Sequence, residues 1–296
     1  MLRRLVFRLA LGLAAGCSRA PVSSGPLVLV DDAGDTVRLQ RPATRVASLA
    51  PATTELLFAI GGGTRVVGRT KWCDWPAEAA ALPSLGDGIS PNVEAIVGVH
   101  PDLVVLYRSP SNAAAAERLR SLGVATIQLR TDSFDDLARA AETLGRALGT
   151  SDSASAVIAR LQAGLARLDR RQDSAGPTVL ILAWDQPPMT IGAGSFQNEL
   201  VARAGGRNIF SDVSAPSAPV SLEAIAARNP QVVLTTSDAP AFVSRPEWQV
   251  VRAVRERRLV VMQGSEFSRP SPRAPGAIAR LAAAFDSLSR SAGPVH

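Results

Sequence analysis

Four places in this sequence set aromatic or charged side chains after a run of aliphatic residues. KWCDW at 71–75 follows VVGRT, YR at 107–108 follows DLVVL, WD at 184–185 follows TVLILA, and SEFSR at 265–269 follows LVVMQG. Pro51 follows VASLA in the same way, and Met189 comes shortly after Trp184. The chain has only four Trp, one Tyr and eight Phe, yet Trp72, Trp75, Trp184, Tyr107 and Phe267 all fall at these places. Aromatics that leave an apolar run need a reason, and surfaces on which a ligand can stack are one. Arg108 and Arg269 beside them would answer a negative charge on such a ligand. The chemistry this supports is binding rather than proton transfer, because the set holds aromatics and not convergent titratable groups.

Two of these residues have a plainer alternative. Trp75 opens WPAEA, a helix start with Pro76 at its first position, so roofing the core is its expected role. Cys73 behaves by type as a small buried hydrophobe, the other reading being a thiolate ligand to cobalt or iron. His100 could ligate a metal, but its counterpart in a repeated segment is Asn229, which favours a turn residue. The sequence shows no paired histidines, phosphate loop, or nucleophile with its base, and GAGSFQNE at 192–199 lacks the third glycine of a dinucleotide site. Neither a metal site nor a cofactor is expected.

The elements that would position these residues alternate between strands and helices. PLVLVDDAGDTVRLQ at 26–40 reads as a hairpin turning at Asp31 to Gly34. After it RVASLAP, RVVGRT, DLVVLYR and ATIQLRT read as short strands separated by helices, and TVLILAW, QVVLTTS and RLVVMQG repeat the scheme. Alternation of this kind builds mainly parallel sheets with helices on their faces, in an α/β fold. Ligands then sit beyond the carboxyl ends of the strands, where the aromatic groups fall. Residues 152–172 form a long helix with Val157, Leu161, Leu165 and Leu168 along one stripe, about 31 Å from end to end.

Length and composition divide the chain in two. At 296 residues and 46% hydrophobic it exceeds what one core usually holds. The expected division is an α/β lobe at 26–150, a bridging helix at 151–175 and a second α/β lobe at 176–296, before which come a leader at 1–17 and a tether at 18–25. MLRRLVFRLALGLAAGC has a basic start, a short apolar run and small residues before Cys17, the pattern of a secretory signal. The formal charge is +6, and Arg3, Arg4 and Arg8 of the leader supply three of those charges, which leaves +3 scattered over the remainder. Nucleic acid is not an expected partner, because a binder would concentrate its basic residues on one face.

The two halves echo one another. PNVEAIVGVHPDLVVL at 91–106 returns as VSLEAIAARNPQVVLT at 220–235, so Glu94 is answered by Glu223 and Pro101 by Pro230. TELLFAIGG at 54–62 returns as NELVARAGG at 198–206. By position Glu94 and Glu223 are first-turn acids behind the N-cap residues Asn92 and Ser221, each worth roughly 0.3 to 1 kcal/mol against the helix dipole. Matching acids on two diverged lobes also suit a partner with twofold symmetry. For Glu55 and Glu199 in the other echo, solvated helix surface is expected.

RVASLAPATTELLFAIG, VGRTKWCDWPAEA, NVEAIVGVHPDLVVLYR and QPPMTIGAGSFQNELVARAGGRNIF, in this order, resemble the periplasmic substrate-binding proteins of cobalamin, haem and iron-siderophore ABC importers. The likeness covers roughly residues 44 to 290 and is greatest toward cobalamin carriers. It implies two lobes joined by one rigid helix with little hinge motion, a ligand between them, and no catalysis. It also implies that Glu94 and Glu223 dock on arginines of a permease dimer, and that Pro51, Trp72 and Tyr107 fall on pocket positions. A flat macrocycle such as a corrin or porphyrin suits such walls, and the ligand-lining set reads Pro51, Trp72, Cys73, Tyr107, Arg108, Trp184, Met189, Phe267 and Arg269. The leader resembles a lipoprotein signal, which implies a lipid on Cys17 and a monomer tethered to a membrane in the periplasm or cell envelope. Two aromatic walls of the cobalamin carriers are missing, one replaced by Ser217 and one by LGDG at 85–88. That leaves haem and ferric siderophores as alternative ligands, and a metal-inserting chelatase on a related fold as the alternative of another class.

Overall fold

The computed structural model describes residues 25–171, 176–237 and 241–291. Cys17 with its leader, the tether through residue 24, and Asp238 lie outside the described residues.

The first lobe follows the alternation read from the sequence. Its elements are β1 (Leu27–Val30), β2 (Thr36–Leu39), β3 (Val46–Ser48), α1 (Pro51–Ala59), β4 (Val66–Arg69), α2 (Ala77–Ala80), α3 (Val93–Gly98), β5 (Leu103–Tyr107), α4 (Pro110–Ser121), β6 (Ala125–Leu129) and α5 (Phe134–Leu148). The β1–β2 hairpin pairs antiparallel with Val30 opposite Thr36. The other four strands form a parallel sheet in the order β4-β3-β5-β6. Residues 103–106 of β5 are all buried, as an aliphatic strand covered on both faces must be. Asp31 and Asp32 in the hairpin turn accept the backbone N–H groups of Gln128 and Arg130, so the hairpin seals the open edge of β6.

The linking helix α6 (Ser151–Arg167) is shorter than its apolar stripe predicts, about 26 Å. It ends because Asp169 leaves the helix to accept hydrogen bonds from Arg171 and Arg203. Val157, Leu161 and Leu165 are buried as their spacing requires.

The second lobe contains β7 (Thr178–Asp185), β8 (Pro188–Ile191), α7 (Phe196–Arg203), β9 (Arg207–Asn208), β10 (Ser217–Pro219), α8 (Leu222–Arg228), β11 (Val232–Thr235), α9 (Arg252–Arg255), β12 (Leu259–Val261) and α10 (Ala274–Ser291). Its sheet runs β10-β8-β7-β11-β12, with β9 also beside β7. β7, β11 and β12 are parallel, whereas β8 and β10 are antiparallel additions that the sequence reading lacked. Proline stands at the first position of β8 and the last of β10, where a strand tolerates it but a propensity pattern does not reveal one. Gly192 ends β8 where a Cβ would collide with the carbonyl oxygens of Val213 and Ala215. The glycines of GAGSF therefore serve a close backbone approach.

One hydrophobic core passes through both lobes instead of one core filling each. It runs from Leu29 and Val37 of the hairpin through α5 and α6 to Leu200, Leu281 and Phe285 of α7 and α10. α6 packs on α1 and α5 and also on α10, so its stripe is shared. Smaller clusters cover the outer sheet faces, with Ile96, Leu106 and Leu119 in the first lobe and Leu182, Phe242 and Trp248 in the second.

The echoes are structural repeats. Asn92 and Ser221 each accept the backbone N–H three residues on, capping α3 and α8. His100 and Asn229 each turn the chain at positive φ, 48° and 44°, and Gly61 and Gly205 match at 81° and 89°. His100 is thus the turn residue that its counterpart predicted. No helix among the described residues is long and apolar enough to cross a membrane.

Candidate functional site

The carboxyl ends of the two sheets meet at a buried carboxylate. Glu55 lies in the second turn of α1, the helix that follows β3, and is 3% exposed. Arg269 donates through Nε to Glu55 Oε1 at 2.9 Å, Ser271 donates to Oε2 at 2.6 Å, and Arg273 reaches both oxygens at 3.1 and 3.2 Å. Arg269 also pairs with Asp74, which follows β4. All three donors follow β12, so this network fastens the second lobe to the first across the sheet ends. The expectation of a solvated Glu55 is corrected: its position after β3 points it into the lobe junction, where arginines replace water.

A second carboxylate supports the first. Glu266, buried in the short turn at 265–267 that follows β12, accepts Arg273 and Arg280. Burial pushes the Glu266 carboxyl up, but the Arg280 hydrogen bond and the charges of Arg273 and Arg280 outweigh it and hold the group below its usual value. Burial likewise raises Asp74, and the Arg269 hydrogen bond and charge prevail and lower it. A carboxylate whose folded value is depressed contributes stability above its unfolded value and loses it as pH falls through the folded one. The melting temperature should therefore hold as pH approaches about 4.5 from above and fall steeply below about 4, and Asp74→Asn should flatten part of that acid limb in a calorimetric series. An unchanged acid limb in the Asn variant would remove Asp74 from the latch.

Around this junction the strand ends carry the predicted walls. Pro51 opens α1 and is half-buried. Trp72 is 55% exposed, and Lys71 Nζ stands 4.7 Å from its ring centroid. Tyr107 ends β5, and its hydroxyl donates to Asp132 Oδ1 at 2.7 Å. Burial, then that hydrogen bond, pushes the phenol up to about 12, so it stays a neutral donor. Arg108 beside it is exposed. Trp184 is 61% exposed, its indole N–H fixed on the Gln186 carbonyl at 2.8 Å, with Met189 as its cross-strand partner.

Three members of the expected lining set do not stand on the wall. Cys73 has no exposure and sits between the hydroxyls of Thr54 and Thr70 at 3.1 and 3.2 Å. Its backbone N–H closes a turn onto the Thr70 carbonyl, which carries the thiol inward, away from any ligand. Phe267 is 3% exposed under the Arg280 guanidinium, because the short turn at 265–267 folds it into the second lobe. Arg269 is committed to Glu55 and Asp74. Trp75 differs the other way: it is half exposed with Arg273 stacked on its ring at 4.4 Å, and Pro76 caps α2 from just outside it.

Sequence reasoning missed three features. Asp132 follows β6, and the rule applied to the other strand ends would have found it there. The Asp185–Arg245 ion pair at 2.7 Å lines a cavity of about 370 Å³ between the ends of β7 and β11. An apolar cavity of about 150 Å³ lies on the opposite face of the same strands. Asp185 and Arg245 are 60 positions apart, and no local signal joins them.

Glu94 and Glu223 stand exposed on the first turns of α3 and α8. The Glu223 carboxyl is held below its usual value by its own backbone N–H and then by the Ser221 hydroxyl. Glu199, expected as solvated surface, is half-buried and paired with Arg203 at 2.7 Å.

The sequence model described as periplasmic binding protein matches residues 46–265 of this chain. The chain belongs to that family. It is 30% identical over 278 residues to the cobalamin-binding protein of Halobacterium salinarum, covering 88% of this chain and 74% of that one. It is 27% identical over 243 residues to a vitamin B12-binding protein of Vibrio cholerae, covering 81% and 88%. The solved periplasmic vitamin B12 binding protein of Vibrio cholerae superposes with a TM-score of 0.70 at 25% identity, covering 84% of this chain and 99% of that one. The apo haem-binding protein of Roseiflexus sp. RS-1 reaches 0.75 at 24% identity, covering 83% and 99%, a likeness of fold. A periplasmic binding protein works outside the cytoplasm and binds without catalysing, which sets the chelatase alternative aside.

Proposed function

We propose that this chain is the substrate-binding component of an ABC importer and takes a corrinoid, cobalamin foremost, between its two lobes. The observation that carries the reading is the placement of Trp72, Tyr107 and Trp184 at strand carboxyl ends, the two tryptophans exposed and the tyrosine half-buried, in a chain with relatives across most of its length that are named for cobalamin. The faces of these side chains suit the edges and plane of a corrin. Pro51 and Met189 complete the apolar wall, and Arg108, exposed beside Tyr107, is a cation placed to meet an amide or phosphate of the ligand.

The lobes keep one relative orientation in this reading. α6 and the Glu55 network resist a hinge, so apo and bound forms should superpose without a large domain rotation. Glu94 and Glu223 dock on cations of a permease dimer, one per subunit, and Cys17 carries the lipid that tethers a monomer to the membrane. The boundaries that go with it are the lobes at 26–150 and 176–296 with the linker between.

Titration of the purified protein with cobalamin, cobinamide, haem and a ferric siderophore tests the ligand directly. Cobalamin should bind and quench Trp72, and Trp72→Ala should weaken it by roughly 1 to 3 kcal/mol, as loss of a buried aromatic contact does. Saturable binding of haem or siderophore with none of cobalamin would replace the corrinoid reading by the other ligand.

A further inference from the structure

The apolar cavity of the second lobe opens at the carboxyl ends of β7, β11 and β12, where Ala183, Thr236 and Ser268 form an exposed mouth. Its walls are Ile181, Ile191, Leu200, Leu234, Met262 and Phe267, between the sheet and helices α7 and α10. These side chains belong to the core, yet Ile191, Leu234 and Met262 keep 6 to 8% exposure, which the cavity supplies. Its volume is about 150 Å³. An apolar cavity of roughly that size stays dry and accepts a benzene-sized guest. Gln197, Thr235 and Thr236 add polar atoms near its lining, enough for one heteroatom and no more.

We infer that this cavity is a subsite of the cleft that takes one aromatic ring carried on an arm of the ligand, and so sets which ligands bind tightly. The inference rests on the corrinoid reading, under which the occupant is the six-membered carbon ring of cobalamin's benzimidazole base, with the imidazole ring left at the mouth. The ring enters between Ala183 and Ser268 and rests on Phe267 and Met262. This gives buried Phe267 a role that its absence from the cleft wall had left open. It also answers the two aromatic walls missing at Ser217 and at 85–88: recognition moves from the rim into a recess.

The test compares cobalamin with cobinamide, which keeps the corrin and lacks the base, on the full chain and on Ala183→Phe. Ala183 is exposed, so a phenyl group there closes the mouth without filling the core. The unaltered chain should favour cobalamin over cobinamide by about 10- to 100-fold, the range expected for burying one ring. Ala183→Phe should abolish the preference and leave cobinamide affinity within about threefold, with an unchanged melting temperature. Equal affinities in the unaltered chain, or a preference that survives Ala183→Phe, would overturn the subsite. If neither corrinoid binds, the corrinoid reading fails on its own, and free 5,6-dimethylbenzimidazole then judges the cavity. Saturable binding that Ala183→Phe removes supports an aromatic subsite, and no binding overturns it.

Discussion

Glu55→Ala should destabilise the chain by roughly 2 to 4 kcal/mol, because it leaves two half-buried guanidinium groups at the lobe junction without the buried carboxylate they share. For a chain of this size that is a drop in melting temperature of about 3 to 8 °C, readable by circular dichroism. Glu55→Gln keeps the volume and the hydrogen bond from Ser271, and it should recover only a small part of the loss, since charge is what the arginines lack. The effect should reach the ligand as well: the network spans the carboxyl ends of β3, β4 and β12, so loosening it widens the cleft and lowers affinity in the molecules that remain folded. A Glu55→Ala protein that melts within 1 °C of its parent would mean that Asp74 and Glu266 hold both arginines unaided.

Reversing both Glu94 and Glu223 to arginine should abolish importer function while the carrier itself stays sound. Both carboxylates are exposed, and Asn92 and Ser221 continue to cap their helices after the change. Ligand affinity should therefore hold within about twofold, and melting should shift by no more than the dipole contribution of roughly 0.3 to 1 kcal/mol at each helix. Like charges set opposite the permease cations oppose the encounter and misalign the complex. Stimulation of transporter ATPase should fall to background in the double variant and to an intermediate level in either single variant. A lowered melting temperature with normal stimulation per folded molecule would make the two acids helix caps and nothing more.

The strand ends were legible from the sequence because they depend on local pattern. Aliphatic runs alternating with helices fix a parallel sheet, the rule for ligand position follows from the sheet, and Trp72, Tyr107 and Trp184 fall where the rule looks. The repeat was legible for the same reason. Glu94 and Glu223 share a cap, a helix and a left-handed turn at His100 and Asn229, each a device of a few adjacent residues. Family resemblance then supplied a ligand class that no periodicity contains.

What the sequence left open is what distance decides. Glu55 reads as one more acid on a solvated helix surface, and nothing near it tells that Arg269 and Arg273, more than 200 positions away, will bury it. Arg269 and Phe267 follow a strand as ligand residues should, but one is taken by the lobe junction and the other by the core. Cys73 lies between two tryptophans in the chain and between two threonines in space. β8 and β10 escaped notice because a short antiparallel strand with proline at one end is stabilised by its neighbours and not by its own propensity. The sequence by itself determined the alternation, the repeat and the residues offered at the sheet ends, since each is set within about ten residues of chain. Which of those residues stay exposed at the sheet ends was decided only by the tertiary structure, because burial and pairing depend on what the other lobe brings to the same place.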